Sequence, residues 1–192
     1  MADTARKMTA DEFLNWAEAQ SDERFEFVDG VPVATAGATQ AHDQIVVNLI
    51  TGLRARLRGG PCMPRTADQA VKVKGDQRVR RPDVLVDCGP REAKALFVRE
   101  PTVVFEVLSP STENVTLSSK LDEYKEIESM RHIVLIDQDK PLLWHFARAG
   151  NDEWVKEEIF DLAASLRLAA IGAELPLSEI YADVEFGGSA EA

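Results

Sequence analysis

The chain has 192 residues, of which 45% are hydrophobic and 29% charged, with a formal net charge of −11. That length and balance allow one domain with a substantial core, expected to span 1–192 with an ordered core over about 9–181. No run approaches the roughly eighteen apolar residues of a membrane span, and the opening MADTARKMTADEF lacks the apolar stretch of a secretory signal, so a cytoplasmic address without a membrane partner is expected.

In chain order, TADEFLNWAEA carries a Thr/Asp cap signal with Phe13, Leu14 and Ala17 at helical spacing, which predicts an amphipathic helix over 9–20. RFEFVDGVPVAT then places Phe25, Phe27, Val31 and Val33 on two alternating runs around Asp29-Gly30, the signature of a tight hairpin. From His42, the residues Ile45, Val46, Leu49, Ile50, Leu53 and Leu57 recur at threes and fours until Gly59-Gly60-Pro61, predicting the longest helix. His42 shares that spacing and is expected to pack or cap.

Residues 67–74, 83–88, 102–108 and 132–137 read as strands, the last two apolar enough to be central. Between them Leu117, Leu121, Tyr124 and Ile127 align on one side of a helix that packs back on the sheet. PLLWHFARAGNDEWVKEEI reads as a hairpin turning at Gly150-Asn151, IGAELPLSEIY as a surface excursion, and GGSAEA, 187–192, as a flexible tail. The fold class is α/β: a central mixed β-sheet flanked by helices, preceded by a helix and a hairpin.

Cys62 and Cys88 lack CxxC spacing and only three histidines accompany them, so two reduced thiols are expected rather than a disulfide framework or a zinc site. The net charge opposes a nucleic-acid partner, but its distribution does not. Between Gly52 and Arg81 nine basic residues face two acidic ones, so +7 there leaves −18 on the rest of the −11 chain. The alternatives are a local basic surface and a set of separately solvated arginines.

Asp83 opens one apolar strand and Glu106 lies within another. If those strands are neighbours, both carboxylates face one point, and a hard divalent cation, magnesium or manganese, would satisfy them. Such a cation lowers the pKa of a water and offsets charge on a phosphoryl oxygen, and Lys120, in the helix that follows, could lean over the carboxylates. Each residue also has a plainer reading. Asp83 could start a strand after Pro82, Glu106 could pair with an arginine such as Arg81, and Lys120 could be solvated. Ser109 and Ser111 have no histidine placed for a triad and read as loop and cap residues.

RPDVLVD followed by VVFEVLSPST, a helix with Lys120 and Tyr124 four apart, and a strand ending in Asp137 together resemble the PD-(D/E)XK nuclease superfamily and, within it, the Uma-type restriction endonucleases. RFEFVDG before a helix led by His42 resembles that family's N-terminal half, so the likeness runs from about Phe13 to Ile180. It implies a restriction-endonuclease-like fold and magnesium-dependent DNA hydrolysis, with Asp83 and Glu106 as metal ligands, Lys120 as the lysine moved from strand to helix, and Glu26 as a further ligand or nearby base. Leu108 stands where the superfamily has lysine, as in Uma-type chains, and Thr116 stands where similar chains carry aspartate. Three readings follow: a DNA endonuclease, for which a homodimer would let two sites address two strands; a nuclease-fold binding module without turnover; and a metal-dependent enzyme acting on a small phosphorylated ligand.

Overall fold

The computed structural model describes residues 8–20, 24–35, 37–108 and 114–186. Helix α1 (Ala10–Glu18) starts at a capping box, in which Thr9 accepts from the Glu12 backbone and Glu12 accepts from that of Thr9. It buries Ala10, Phe13 and Leu14 against Phe27 and Val79. Strands β1 (Phe25–Val28) and β2 (Val31–Ala34) pair with Val28 opposite Val31, so Asp29 and Gly30 form a two-residue turn with φ of 50° and 94°. Positive φ at both positions is the geometry that lets a tight turn follow the strand twist.

Helix α2 (Gln40–Arg56) begins two residues earlier than its apolar pattern, at the Thr39 cap, whose hydroxyl accepts from His42 N at 3.2 Å. Next come β3 (Met63–Thr66), β4 (Ala70–Val73), β5 (Arg78–Arg80), β6 (Val84–Asp87), β7 (Phe97–Val98) and β8 (Pro101–Leu108). Helix α3 (Asn114–Lys125) crosses to β9 (His132–Asp137), followed by β10 (Leu143–Arg148), β11 (Trp154–Ile159), β12 (Ser165–Leu168), β13 (Ala173–Pro176) and the short α4 (Leu177–Ile180).

One sheet runs β2-β1-β5-β4-β7, a second runs β11-β10-β9-β8-β6-β3, and β12 and β13 form a third of two strands. In the six-stranded sheet β8 and β9 are central and parallel, joined by the α3 crossover, and their near-continuous apolar runs are covered on both faces. Val84, Phe105, Val107, Val134 and Ile136 pack under Ile45, Leu49 and Leu53 of α2. Leu85, Val104, Ile133 and Leu135 pack on the opposite face with Tyr124 of α3. This is the expected mixed α/β architecture.

Two expectations are corrected, and strands without a sequence signal are added. The segment read as a surface excursion, 171–181, is core: β13, paired with β12, and α4 bury Leu175, Leu177 and Ile180, and the Tyr181 hydroxyl hydrogen-bonds to the backbone of Asp137 and Leu142. Both strands are four residues long and turn through Gly172 at φ 62°, too short for alternation to stand out. β3 and β5 carry no apolar run of their own, and Arg80 of β5 is buried. Finally, Cys62 and Cys88 form a disulfide. Antiparallel β3 and β6 pair Met63 with Asp87, so the cysteines fall one step beyond that pair with Cα atoms 4.0 Å apart. A 26-residue separation hid this proximity, and closing it contributes roughly 3 kcal/mol by restricting the unfolded chain. Disulfides are uncommon in reducing cytosol.

Among the described residues no helix is long and apolar enough to cross a membrane. The loop holding Ser109 and Ser111 and the 187–192 tail lie outside the described residues.

Behind β9 and β10, His132 Nδ1 and His145 Nε2 lie 2.9 Å apart, and Ala170 N donates to His132 Nε2 at 3.2 Å. That leaves Nδ1 as the proton-bearing nitrogen of neutral His132. Burial and the neighbouring His145 and Arg131 push the His132 pKa down to about 4. The unfolded chain therefore binds the extra proton first as pH falls, and the folded state loses up to roughly 3 kcal/mol between about pH 6.5 and 4. A His132→Gln variant should lose less stability than wild type over that window in urea titrations; parallel losses would remove His132 as the source.

Candidate active site

The β6–β8 ladder pairs Val84 with Phe105. One step outward, Asp83 and Glu106 therefore stand opposite each other on neighbouring strands, with side chains on the same side of the sheet. Asp83 Oδ2 accepts from Val107 N at 2.7 Å, so this carboxylate joins two strands rather than capping its own turn. Its other oxygen lies 3.2 Å from His42 Nε2. Sequence reasoning gave His42 only a packing or capping place, and the structure adds this carboxylate partner. Burial opposes a charge on His42, but Asp83, Glu106 and Asp43 outweigh it and raise its pKa.

Glu106 is 7% exposed. The Tyr124 hydroxyl donates to Oε1 at 2.7 Å, and Lys120 Nζ sits 3.4 Å from both oxygens. Lys120 and Tyr124, one turn apart on α3, reach Glu106 together because side chains four apart share a helix face. Lys120 Nζ also lies 3.0 Å from Glu26 Oε1 on β1. The structure thus brings Asp83, Glu106, Lys120 and Glu26 into one cluster and joins His42 and Tyr124 to it.

Behind Lys120 the ion pairs continue. Arg80 donates from Nη1 to Glu26 at 2.8 Å and from Nε to Glu123 at 2.6 Å, while Arg81 N donates to Glu26 at 3.3 Å. Glu123 is fully buried and also accepts from Ser119 at 3.0 Å and from Arg78, which forms a fork with Asp29. Desolvation would raise the Glu123 pKa, but Arg80, Arg78 and Ser119 bring it below the usual range. Arg81, the expected rival partner of Glu106, instead donates to the carbonyls of Phe25, Ala67 and Asp68. Sequence reasoning missed Arg80 and Glu123; the available signal was Glu123 beside Tyr124 in the helix, and RVRR leading into Asp83.

This network also accounts for much of the basic segment. Arg56 pairs with Glu179, Lys72 with Asp11 and Asp76, and Arg78 and Arg80 with the acids above. Arg54, Arg58 and Lys74 remain exposed.

The carboxylates near Glu106 are incompletely neutralised. Burial raises the Glu106 pKa, Lys120 opposes the rise, and Asp83 and Glu26 add to it, leaving the carboxyl at about 7. Lys120 itself is raised, because Glu106 and Glu26 outweigh its burial. A buried acid short of positive charge beside a second carboxylate fits a hard cation through oxygen donors. Among the described residues no three His, Cys, Asp or Glu side chains converge as a ready-made metal site. Asp83 and Glu106 would therefore supply two ligands, with water or substrate oxygens completing the shell.

A family model named Uma2, "Putative restriction endonuclease", matches residues 10–178. Two Synechocystis proteins are similar: uncharacterized protein slr1290, 31% identical over 183 residues covering 94% of each chain, and uncharacterized protein sll1609, 25% identical over 169 residues covering 86% of this chain and 95% of that one. The crystal structure of a "putative nuclease belonging to DUF820" from Anabaena variabilis superposes with a TM-score of 0.73 at 17% identity, covering 91% of this chain and 97% of that one.

Because folding raises the Glu106 carboxyl, the folded state binds a proton between about pH 4.5 and 7 that the unfolded chain has released, and metal-free stability falls as pH rises through that window. Glu106→Gln cannot ionise. In chelator at pH 8 it should exceed wild type by on the order of 2 kcal/mol, with little gain at pH 5, as read from urea melts. A variant less stable than wild type at pH 8 would make Glu106 a structural ion-pair partner.

Proposed function

The chain belongs to the Uma2 family of restriction-endonuclease-like proteins, and from that premise we propose that it is a divalent-metal-dependent endonuclease hydrolysing DNA phosphodiester bonds. The observation that carries this reading is the pairing of half-buried Asp83 with buried Glu106, opposite each other across β6 and β8, with Lys120 of α3 held 3.4 Å from Glu106. Structural ion pairs are usually balanced; here the acids outnumber the cation beside them, which supports a site built to accept more positive charge.

Asp83 and Glu106 would hold the cation, magnesium or manganese given oxygen donors alone. When bound, it would supply a water of lowered pKa and neutralise charge on a phosphoryl oxygen. The chain's own residues do the rest. Val107 N and His42 hold Asp83, and Tyr124 holds Glu106, so neither carboxylate must reorganise. Lys120 stays protonated between Glu106 and Glu26 and can donate to the phosphoryl oxygen as negative charge builds there. Glu26, fixed by Arg80 and the Arg81 backbone, positions Lys120 rather than contacting the reacting atoms.

A second reading, a nuclease-fold binding module or an enzyme acting on a small phosphorylated ligand, is favoured by the internal pairing of Arg56, Arg65, Lys72, Arg78 and Arg80, five of the nine basic side chains in 52–81, which leaves few for a phosphate backbone. Salt separates these readings: duplex binding should weaken steeply with salt, and small-ligand binding much less.

Plasmid nicking at low salt with magnesium, then manganese, should be seen for wild type and absent for Glu106→Gln. Calorimetry showing cation binding to wild type without any cleavage would instead support the binding module. Lys120→Ala should keep cation affinity and lose roughly a hundredfold or more in turnover; unchanged cleavage would remove Lys120 from the mechanism.

A further inference from the structure

The six-stranded sheet ends in β11, and among the described residues no strand pairs with its outer edge. Its ladder with β10 runs from Arg148 opposite Trp154 to Leu143 opposite Ile159, and Ala149 N donates to Glu153 O at 2.7 Å just beyond. Hydrogen-bonded pairs recur every second residue in an antiparallel ladder. That phase turns the backbone groups of Val155, Glu157 and Ile159 toward β10, and those of Trp154, Lys156, Glu158 and the following Phe160 outward. The edge is also apolar for its position: Val155 is 58% exposed and Phe160 71% exposed.

Open edges are commonly guarded by charge, which repels any strand that does not match it. In WVKEEIF the charges match the segment itself. An antiparallel two-fold axis perpendicular to the sheet keeps each face continuous, so only residues of the same face meet across it. Centred on Glu157, it sets Lys156 opposite Glu158 of the second copy, Val155 opposite Ile159, and Trp154 opposite Phe160. Centred one residue earlier, it would set Lys156 against itself and Val155 against Glu157, so charge selects the first register. Glu158 is already oriented, accepting from Trp144 Nε1 at 3.1 Å and from Lys156 Nζ at 2.7 Å. The selected register pairs Trp154, Lys156, Glu158 and Phe160, the residues whose N–H and C=O groups face outward.

We propose that the outer edge of β11 is a homodimerisation surface, on which a second copy adds its own β11 about a two-fold axis at Glu157 and continues the six-stranded sheet through both molecules. The one unfavourable meeting is Glu157 with its symmetry mate, each near His145, whose Nδ1 lies 3.7 Å from Glu157 Oε2.

The test is charge reversal on the full chain, read by sedimentation velocity over a dilution series. Wild type should be a dimer that dissociates on dilution. K156E sets two acids against each other twice per dimer and E158K sets two lysines, so each alone should weaken association about tenfold or more. An equimolar mixture of the two opposes acid to lysine at every such pair and should restore the dimer. Glu157→Gln should tighten it. Thermal melts matching wild type would establish that the variants are folded, as expected for side chains 48% and 53% exposed. A wild type that stays monomeric, a dimer indifferent to both reversals, or a mixture that does not recover would each overturn the proposal.

Discussion

The structure depends on a buried ion network that no single element can satisfy. Glu26 of β1, Arg80 of β5, Glu106 of β8 and Glu123 of α3 are each less than a tenth exposed, with Lys120 of α3 between them. A charge withdrawn from water costs several kcal/mol unless its partners are in place, and here those partners come from distant parts of the chain. Glu123 needs Arg80 and Arg78, Arg80 needs Glu26, and Lys120 needs Glu26 and Glu106. The N-terminal hairpin sheet, α3 and the central strand of the larger sheet must therefore assemble together. The aromatic contacts of α1 then close the outer side of the hairpin, with Phe13 stacked on Phe27 at 5.0 Å.

The same network holds a local imbalance. Toward Glu123 the guanidinium groups match the acids closely, and that carboxyl is held below its ordinary range. Toward Asp83 the balance reverses: Arg80 and Lys120 share Glu26, Lys120 is left as the cation against Glu106, and burial with Asp83 and Glu26 nearby lifts the Glu106 carboxyl to about 7. A packed interior tolerates such a deficit only where the backbone leaves the groups no alternative, and the β6–β8 register together with the Val107 N–H bond fixes both carboxylates in place. The well-paired end provides rigidity, and the under-neutralised end is where the proposed cation would bind.

The two edges of the larger sheet are treated differently. At β3 the Cys62–Cys88 disulfide pins the edge strand to β6, the strand that Asp83 leads into. At β11 nothing covalent holds the strand, and its side chains alone decide what can pair with it. Between these edges, β8 and β9 are covered on both faces and carry the apolar runs that make the sheet's centre unambiguous.

Local chemistry determined the elements whose signal is contained within a few residues: the capping box at Thr9, the Asp29-Gly30 turn, the apolar spacing of α2, the continuous runs of β8 and β9, and the acidic residues Asp83 and Glu106 set against apolar neighbours. The family likeness carried by RPDVLVD and VVFEVLSPST added the fold. Tertiary structure alone decided the rest, because it depended on contacts across long separations. Arg80 looked like a solvated arginine until Glu26 and Glu123 enclosed it from 54 and 43 residues away. His42 kept its helical spacing and was brought to Asp83 only by packing of α2 over the sheet. Cys62 met Cys88 through the β3–β6 register, and the segment from Ala173 to Tyr181, polar enough to pass for surface, became core because the apolar face beneath it had no other cover. Spacing along a chain constrains which residues share a face; which faces meet is decided by the burial and charge balance of the whole.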